Sequence, residues 1–336
     1  MQNEVSKNSK SIGLKTLFNP ARAQKFLAFG ALIMLLIFFS CASPYFMTFD
    51  NVVSIMLSTC VNGLLALGII FVIITGGIDL SLGTTMTFSS VIAGVMITNL
   101  GAPLWLGILT AIAAGALCGS INGTLISRLK LQPFIATLGM MMMTKGLSLV
   151  LSGTKPIYFS ETPSFRKITV GSFIKFGAEG KYSIPNGILI FFAMAIVAAI
   201  ILNKTKLGRY NFAIGSNEEA TRLSGVNVEK WKTTIYALCG CFAGIAGIVM
   251  AARLDSAQPA LGQGYEMDAI ASVVIGGTSM SGGEGTILGT VIGAFIISTL
   301  TNGLKVMGVA QEWQIVITGT VLVLAVLLDK MRRRTK

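Results

Sequence analysis

Long apolar runs separated by short polar breaks set the class of this chain before any single residue is considered. The first run, Phe26 to Phe46, contains no charged residue and exceeds the ~20 residues a helix needs to cross the hydrocarbon core of a bilayer. It ends in Ala42-Ser43-Pro44, which resembles a signal-peptide cleavage site, but its apolar core is too long for a cleaved signal, so it is read as the first span. Apolar runs set against breaks give ten predicted spans, at 26–46, 53–75, 81–98, 104–126, 134–152, 186–203, 233–252, 266–281, 286–302 and 313–329. The eighth is short and opens with Glu266 and Asp268, which also suits a partial or re-entrant segment. The expected architecture is an all-α polytopic membrane protein. A cytoplasmic segment 1–25 precedes one transmembrane domain, 26–329, and a basic tail, 330–336, follows it.

Composition agrees. Apolar residues make up 53% of the chain and charged residues 12%, against about 25% charged in ordinary soluble domains. The net charge of +12 raises the question of nucleic acid, and the placement of the charges answers it. Eighteen of the twenty-six Lys and Arg residues fall in 1–25, 127–133, 204–232 and 330–336. Basic flanks are retained on the cytoplasmic side, so both termini are predicted to be cytoplasmic, with lipid as the surrounding partner and no role for nucleic acid.

Histidine is absent, which excludes Ser-His-Asp catalysis, His-ligated zinc and HExxH peptidase chemistry. The five cysteines, Cys41, Cys60, Cys118, Cys239 and Cys241, all lie inside apolar runs and read as small buried hydrophobes. Cys239 and Cys241, two apart on a predicted helix, point away from each other, which argues against a disulfide or a shared metal. No metal site is expected. No GxxxxGK[ST] motif occurs either, so if ATP drives this protein, a separate chain binds it.

The 38 glycines are informative by spacing. Gly115, Gly119 and Gly123 recur every four residues, as do Gly285, Gly289 and Gly293, and each set predicts a flat stripe where another helix backbone approaches. Two glycine-rich breaks, Thr75–Gly83 and Gly276–Gly285, look alike although they lie six predicted spans apart. Asp79 or Ser81 is placed to cap the helix that follows the first. Both breaks also resemble the unwound segments that transporters set beside a polar path. Asn62, Asn122 and Asn302, with Asp79 and Ser81, are the candidate pathway or gate residues. Lys145 is an isolated charge within the fifth span, expected to snorkel outward or to pair with an acid.

The cytoplasmic stretch Leu207–Val226 is too polar to cross and predicts a short helix. Ser216 or Asn217 supplies its N-cap, Glu218 and Glu219 suit its positive end, and Gly225 ends it. Two turns are unstable alone in water, so the helix needs a partner surface. That surface is either the protein's own membrane face or a groove on a cytoplasmic subunit.

The chain resembles the permease subunits of bacterial monosaccharide ABC importers, most closely the ribose type (the ribose/xylose/arabinose/galactose family). The likeness rests on Gly77-Ile78-Asp79-Leu80-Ser81, Pro133–Gly139, Leu207–Val226, Ala252-Arg253-Leu254, Ser256-Ala257-Gln258-Pro259, Gly264–Ala271 and Gly276-Gly277-Thr278-Ser279, and covers nearly all of the chain from about residue 26. It implies a transport subunit rather than an enzyme, set in the bacterial inner membrane as a homodimer or pseudo-dimer. An extracytoplasmic sugar-binding protein would dock outside, and two ABC ATPase subunits, which hold the ATP and Mg, inside. Residues 216–225 would then be the coupling helix, with Asn217, Glu218, Glu219, Ala220, Arg222, Leu223, Ser224 and Gly225 as its ATPase-coupling set. Arg253, Gln258 and Tyr265, on the predicted outer side, are the candidate binding-protein contacts. Ribose is the first expectation for the sugar, with allose, xylose, galactose and autoinducer-2 as alternatives. An ion-coupled secondary transporter is the rival, and it suffers from having acids only near span ends or at the glycine breaks.

Overall fold

The computed structural model describes the backbone of residues 20–176 and 182–334, and side chains at 27–176, 182–324 and 327. Most of the predicted segment 1–25, part of the outer loop and the end of the basic tail lie outside the described residues.

All ten apolar segments carry helix, as backbone amides in lipid must be satisfied within their own segment. In chain order the helices are α1 (Pro20–Ala42), α2 (Phe49–Ile74), α3 (Leu82–Gly94), α4 (Leu104–Ser127), α5 (Pro133–Ser152), α6 (Pro163–Lys167), α7 (Asn186–Lys204), α8 (Lys206–Ser216), α9 (Glu218–Leu223), α10 (Val228–Leu254), α11 (Tyr265–Ile275), α12 (Ile287–Val306) and α13 (Gln311–Arg334). Among the described residues six of them, α2, α4, α5, α7, α10 and α12, are long and apolar enough to cross a membrane. The apolar part of α1 runs from Leu27 to Ala42, and α3 is prolonged by a π-helical turn, Val95–Asn99.

The eighth predicted span is corrected. Only 11 residues of it, α11, are helical, about 16 Å at 1.5 Å per residue. That is roughly half the hydrocarbon thickness. The remainder is the glycine break, whose Gly277, Gly282 and Gly283 take positive φ, a conformation that ends a helix. The helical backbone of α13 runs on into the basic tail as far as Arg334.

α2 is the central helix. Cys60 to Ile74 are all buried, as expected of a helix that is apolar on every side. α10, α12, α11 and α7 pack around it, and their core includes Phe71, Phe191, Tyr236, Phe242 and Val273. α4, α5 and α7 expose Leu117, Ile121, Phe134, Met142, Phe192 and Ile196, the apolar surface that lipid or another membrane subunit covers.

The first glycine stripe behaves as predicted. The second does so at Gly289 and Gly293 but not at Gly285, which precedes the helix and faces the side chains of Ile74 and Thr278. A Cβ on Gly115, Gly119 or Gly123 would strike the backbone of Gly240, Tyr236 or Thr233, so α4 and α10 lie backbone to backbone. On α12, Gly289 and Gly293 meet Gly276 and Ser272 in the same way. Outside the bundle, strand Ile157–Tyr158 pairs antiparallel with Ser256–Ala257, and a small hairpin pairs Ile174–Phe176 with Tyr182–Ile184.

Candidate functional site

The predicted cytoplasmic helix is α9, and its ends are built as its sequence requires. Asn217 is extended and its Oδ1 accepts the Ala220 N–H at 2.9 Å. At the other end Gly225 takes φ +83°, and the Ser224 Oγ donates to the Ala220 carbonyl at 2.8 Å. Thr221 is buried, whereas Glu219, Ala220, Arg222, Leu223, Ser224 and Gly225 face solvent, with Leu223 82% exposed.

A second short helix precedes it, where the sequence predicts a single one in Leu207–Val226. α8 is capped by Thr205, whose Oγ1 accepts the Gly208 N–H. Threonine followed by a helix-length amphipathic run was the available signal. Gly208 sits so close to the Leu202 carbonyl that no Cβ fits, which folds α8 sharply back from α7. Tyr210 packs on Trp231 of α10, ring centroids 4.9 Å apart.

Glu218 ties α9 to the bundle. One carboxylate oxygen accepts from Arg222 at 3.1 Å and the other from Lys232 of α10 at 2.5 Å. Burial pushes the Glu218 pKa up, but Lys232, with Arg222 and Lys130, outweighs it and holds the carboxyl below its ordinary value.

Beneath α8 and α9 the two glycine breaks come together. The Gly283 N–H donates to the Ile74 carbonyl at 2.9 Å. Gly215, at the end of α8, abuts both Ile74 and Gly283 so tightly that a side chain would overlap their backbones. Segments distant in sequence therefore meet at one point, directly under the stem of the exposed helix.

The first break continues inward. Asp79 Oδ1 accepts from the Ser81 N–H at 2.9 Å and from the Ser81 hydroxyl at 2.6 Å. Asn122 donates to the same hydroxyl at 3.0 Å, and the Tyr236 hydroxyl donates to the Ile78 carbonyl at 3.2 Å. The expected helix cap is corrected: neither Asp79 nor Ser81 caps α3 through its side chain, because the two groups bind each other. Asp79, Ser81 and Asn122 thus form one buried cluster. Asn62 lies twelve residues up α2 from the break, ~18 Å away along the axis, and Asn302 lies on α12. The Oδ1 atoms of Asn62, Asn122 and Asn302 are buried with no partner among the described residues.

The segment from Arg253 to Tyr265 turns into the bundle. Arg253 donates to Ser58 at 3.2 Å and Gln258 to Ser256 at 2.9 Å. Thr87 donates to the Leu261 carbonyl at 2.7 Å, and Gly262 packs against Gly83 in the first turn of α3. Arg253, Gln258 and Tyr265 are half-buried. Lys145, expected to snorkel outward or to pair with an acid, donates to the Gln263 amide oxygen at 2.9 Å.

Six helices long and apolar enough to cross a membrane, a half-length helix and interlocked glycine breaks make this a helical bundle of membrane-protein type. The chain belongs to the family described as the branched-chain amino acid transport system permease component, which it matches over residues 51–326. It is 40% identical to the ribose import permease protein RbsC of Escherichia coli K12 over 90% of this chain and 92% of that one. With RbsC of Bacillus subtilis it shares 41% over 92% and 94%, and with the D-allose permease AlsC of E. coli K12 33% over 89% of each. No solved structure matches it significantly.

Proposed function

We propose that this chain is the permease subunit of an ATP-driven importer that carries a monosaccharide, ribose in the first instance, across a bacterial inner membrane. Two copies would enclose the path, both termini would be cytoplasmic, and the chain would bind no cofactor of its own. ABC ATPase subunits holding ATP and Mg would dock on α9, and an extracytoplasmic binding protein would deliver the sugar. The RbsC relatives support ribose over allose, since identity falls from 40% to 33% between them.

The observation that carries this reading is the solvent-facing α9, which follows directly on α8, the helix whose Gly215 closes on Ile74 and Gly283. Motion imposed on α9 would pass through α8 to the end of α2 and to the loop between α11 and α12, where Gly215 meets Ile74 and Gly283, and such rigid contacts turn an ATPase stroke into alternating access. Sugar selection would rest mainly with the binding protein, leaving the permease a weak, transient site.

Co-purification with the ATPase tests the docking role. Leu223→Glu removes the apolar contact and should abolish capture of the ATPase while leaving the permease folded; unchanged capture and uptake would contradict it.

A further inference from the structure

We propose that Lys145 of α5 and Gln263 of the inward-turning segment form a contact point for sugar hydroxyls on the translocation path, at mid-membrane depth. This rests on the permease reading above. Depth follows from helix rise. Lys145 is the thirteenth residue of α5, ~18 Å from its start and ~10 Å from its end. Gln263 is carried to the same level because its neighbours Leu261 and Gly262 are fixed against Thr87 and Gly83 in the first half of α3.

A lysine at that depth is costly and belongs on a protein cavity or a water-filled path rather than against lipid. Here the ammonium turns toward the inward segment and donates to Gln263 at 2.9 Å; among the described residues no carboxylate pairs with it. Both residues are exposed in the single chain. The face around them is also open, since a Cβ on Gly139, Gly146 or Gly264 meets nothing within 4 Å. The contrast with Asp79, Ser81 and Asn122 is sharp: those polar groups are sealed inside one subunit, whereas this pair faces outward from it.

The chemistry suits a neutral polyol. The ammonium brings three donors and the amide both a donor and an acceptor, so a pair of adjacent hydroxyls satisfies both. Neither group demands a charge on the ligand while they hold each other. Such bonds are individually weak, which allows release.

The test uses the complete importer, with its ATPase and sugar-loaded binding protein. Lys145→Cys, in a chain with exposed Cys41 replaced by Ser, is treated with a membrane-impermeant thiol reagent, against the same chain lacking the new cysteine. The expected result is labelling that slows at least fivefold when the sugar-loaded binding protein is present. In parallel, Lys145→Met should lower sugar transported per ATP hydrolysed by about fivefold or more, the loss of a hydrogen bond or two, and Lys145→Arg should restore most of it. Labelling by a lipid-soluble maleimide only, by neither reagent, or at a rate indifferent to sugar overturns the proposal, placing Lys145 in lipid or sealed against a second copy. An unchanged transport-to-ATP ratio in Lys145→Met does so too. If the unmodified importer moves no sugar, the permease reading itself fails, a separate result from an active importer with an indifferent Lys145.

Discussion

Gly283 hands its backbone N–H to the carbonyl of Ile74, 209 positions earlier in the chain, at 2.9 Å. The bond joins the loop after α11 to the last turn of the central helix, and Gly215 closes over both. Ala at 215 would push a methyl into two backbones, a clash of the kind that costs about 1–3 kcal/mol. Gly215→Ala should therefore cut uptake severely and loosen α8. Protease cleavage near residue 216, compared with the parent protein, checks this, and a variant with parental uptake and cleavage would refute it.

The Glu218–Lys232 ion pair gives a second prediction. Both partners are partly exposed, so the pair is screened and its stabilising effect is modest. Glu218→Lys or Lys232→Glu alone should lower sugar-stimulated ATP hydrolysis, and the double swap should recover much of it. Because the folded carboxyl titrates below its ordinary value, its contribution is present above the unfolded pKa and is lost as pH falls through the folded one. Uptake by the parent protein should accordingly fall on the acid side more steeply than uptake by Glu218→Gln. Parallel acid limbs would contradict that.

Charge on the outer face of α9 gives a third. Glu219 and Arg222 are exposed, so Glu219→Lys with Arg222→Glu should weaken ATPase capture at unchanged permease expression. Raising salt should reduce the difference, as it does for solvent-exposed charges.

The α4–α10 contact gives a fourth. Gly119 lies against the backbone carbonyl of Tyr236, the residue whose hydroxyl donates to the Ile78 carbonyl. Gly119→Val should lower the melting temperature of the purified protein by several degrees, from a loss of about 1–3 kcal/mol. Gly139→Val, at an open position on α5, should leave the single chain's stability nearly unchanged.

Much of this was legible in the chain itself. The helical apolar segments, the α4 glycine stripe and the limits of α9 follow from period, spacing and capping residues, which are local signals. Asn217 as N-cap and Gly225 as terminator are found where the sequence put them. What stayed hidden was long-range. Nothing in Thr75–Gly83 or Gly276–Gly285 announces that they touch each other, since backbone-to-backbone contact leaves no side-chain signature. The helix α8 was obscured by Gly208 and Gly215, residues that weaken helix propensity but are needed for close approach. The inward course of Arg253–Tyr265 was missed because polar residues after an apolar run read as an outer loop, whereas Thr87, Gly83 and Lys145 draw that segment into the bundle. The candidate gate residues split for a similar reason: spacing alone could not show that Asp79 and Ser81 satisfy each other.

Orientation rests on the basic residues and has its own check. A cysteine placed at Gly225 should react with an impermeant reagent in inside-out vesicles and stay silent in right-side-out ones; the reverse pattern would invert the topology.

The most direct measurement of the central claim is sugar uptake into proteoliposomes that hold this chain with its ATPase, supplied with sugar-loaded binding protein. The account predicts ribose accumulation that requires ATP, survives collapse of the proton gradient and disappears in Leu223→Glu. Accumulation that persists without ATP and collapses with the gradient would contradict it.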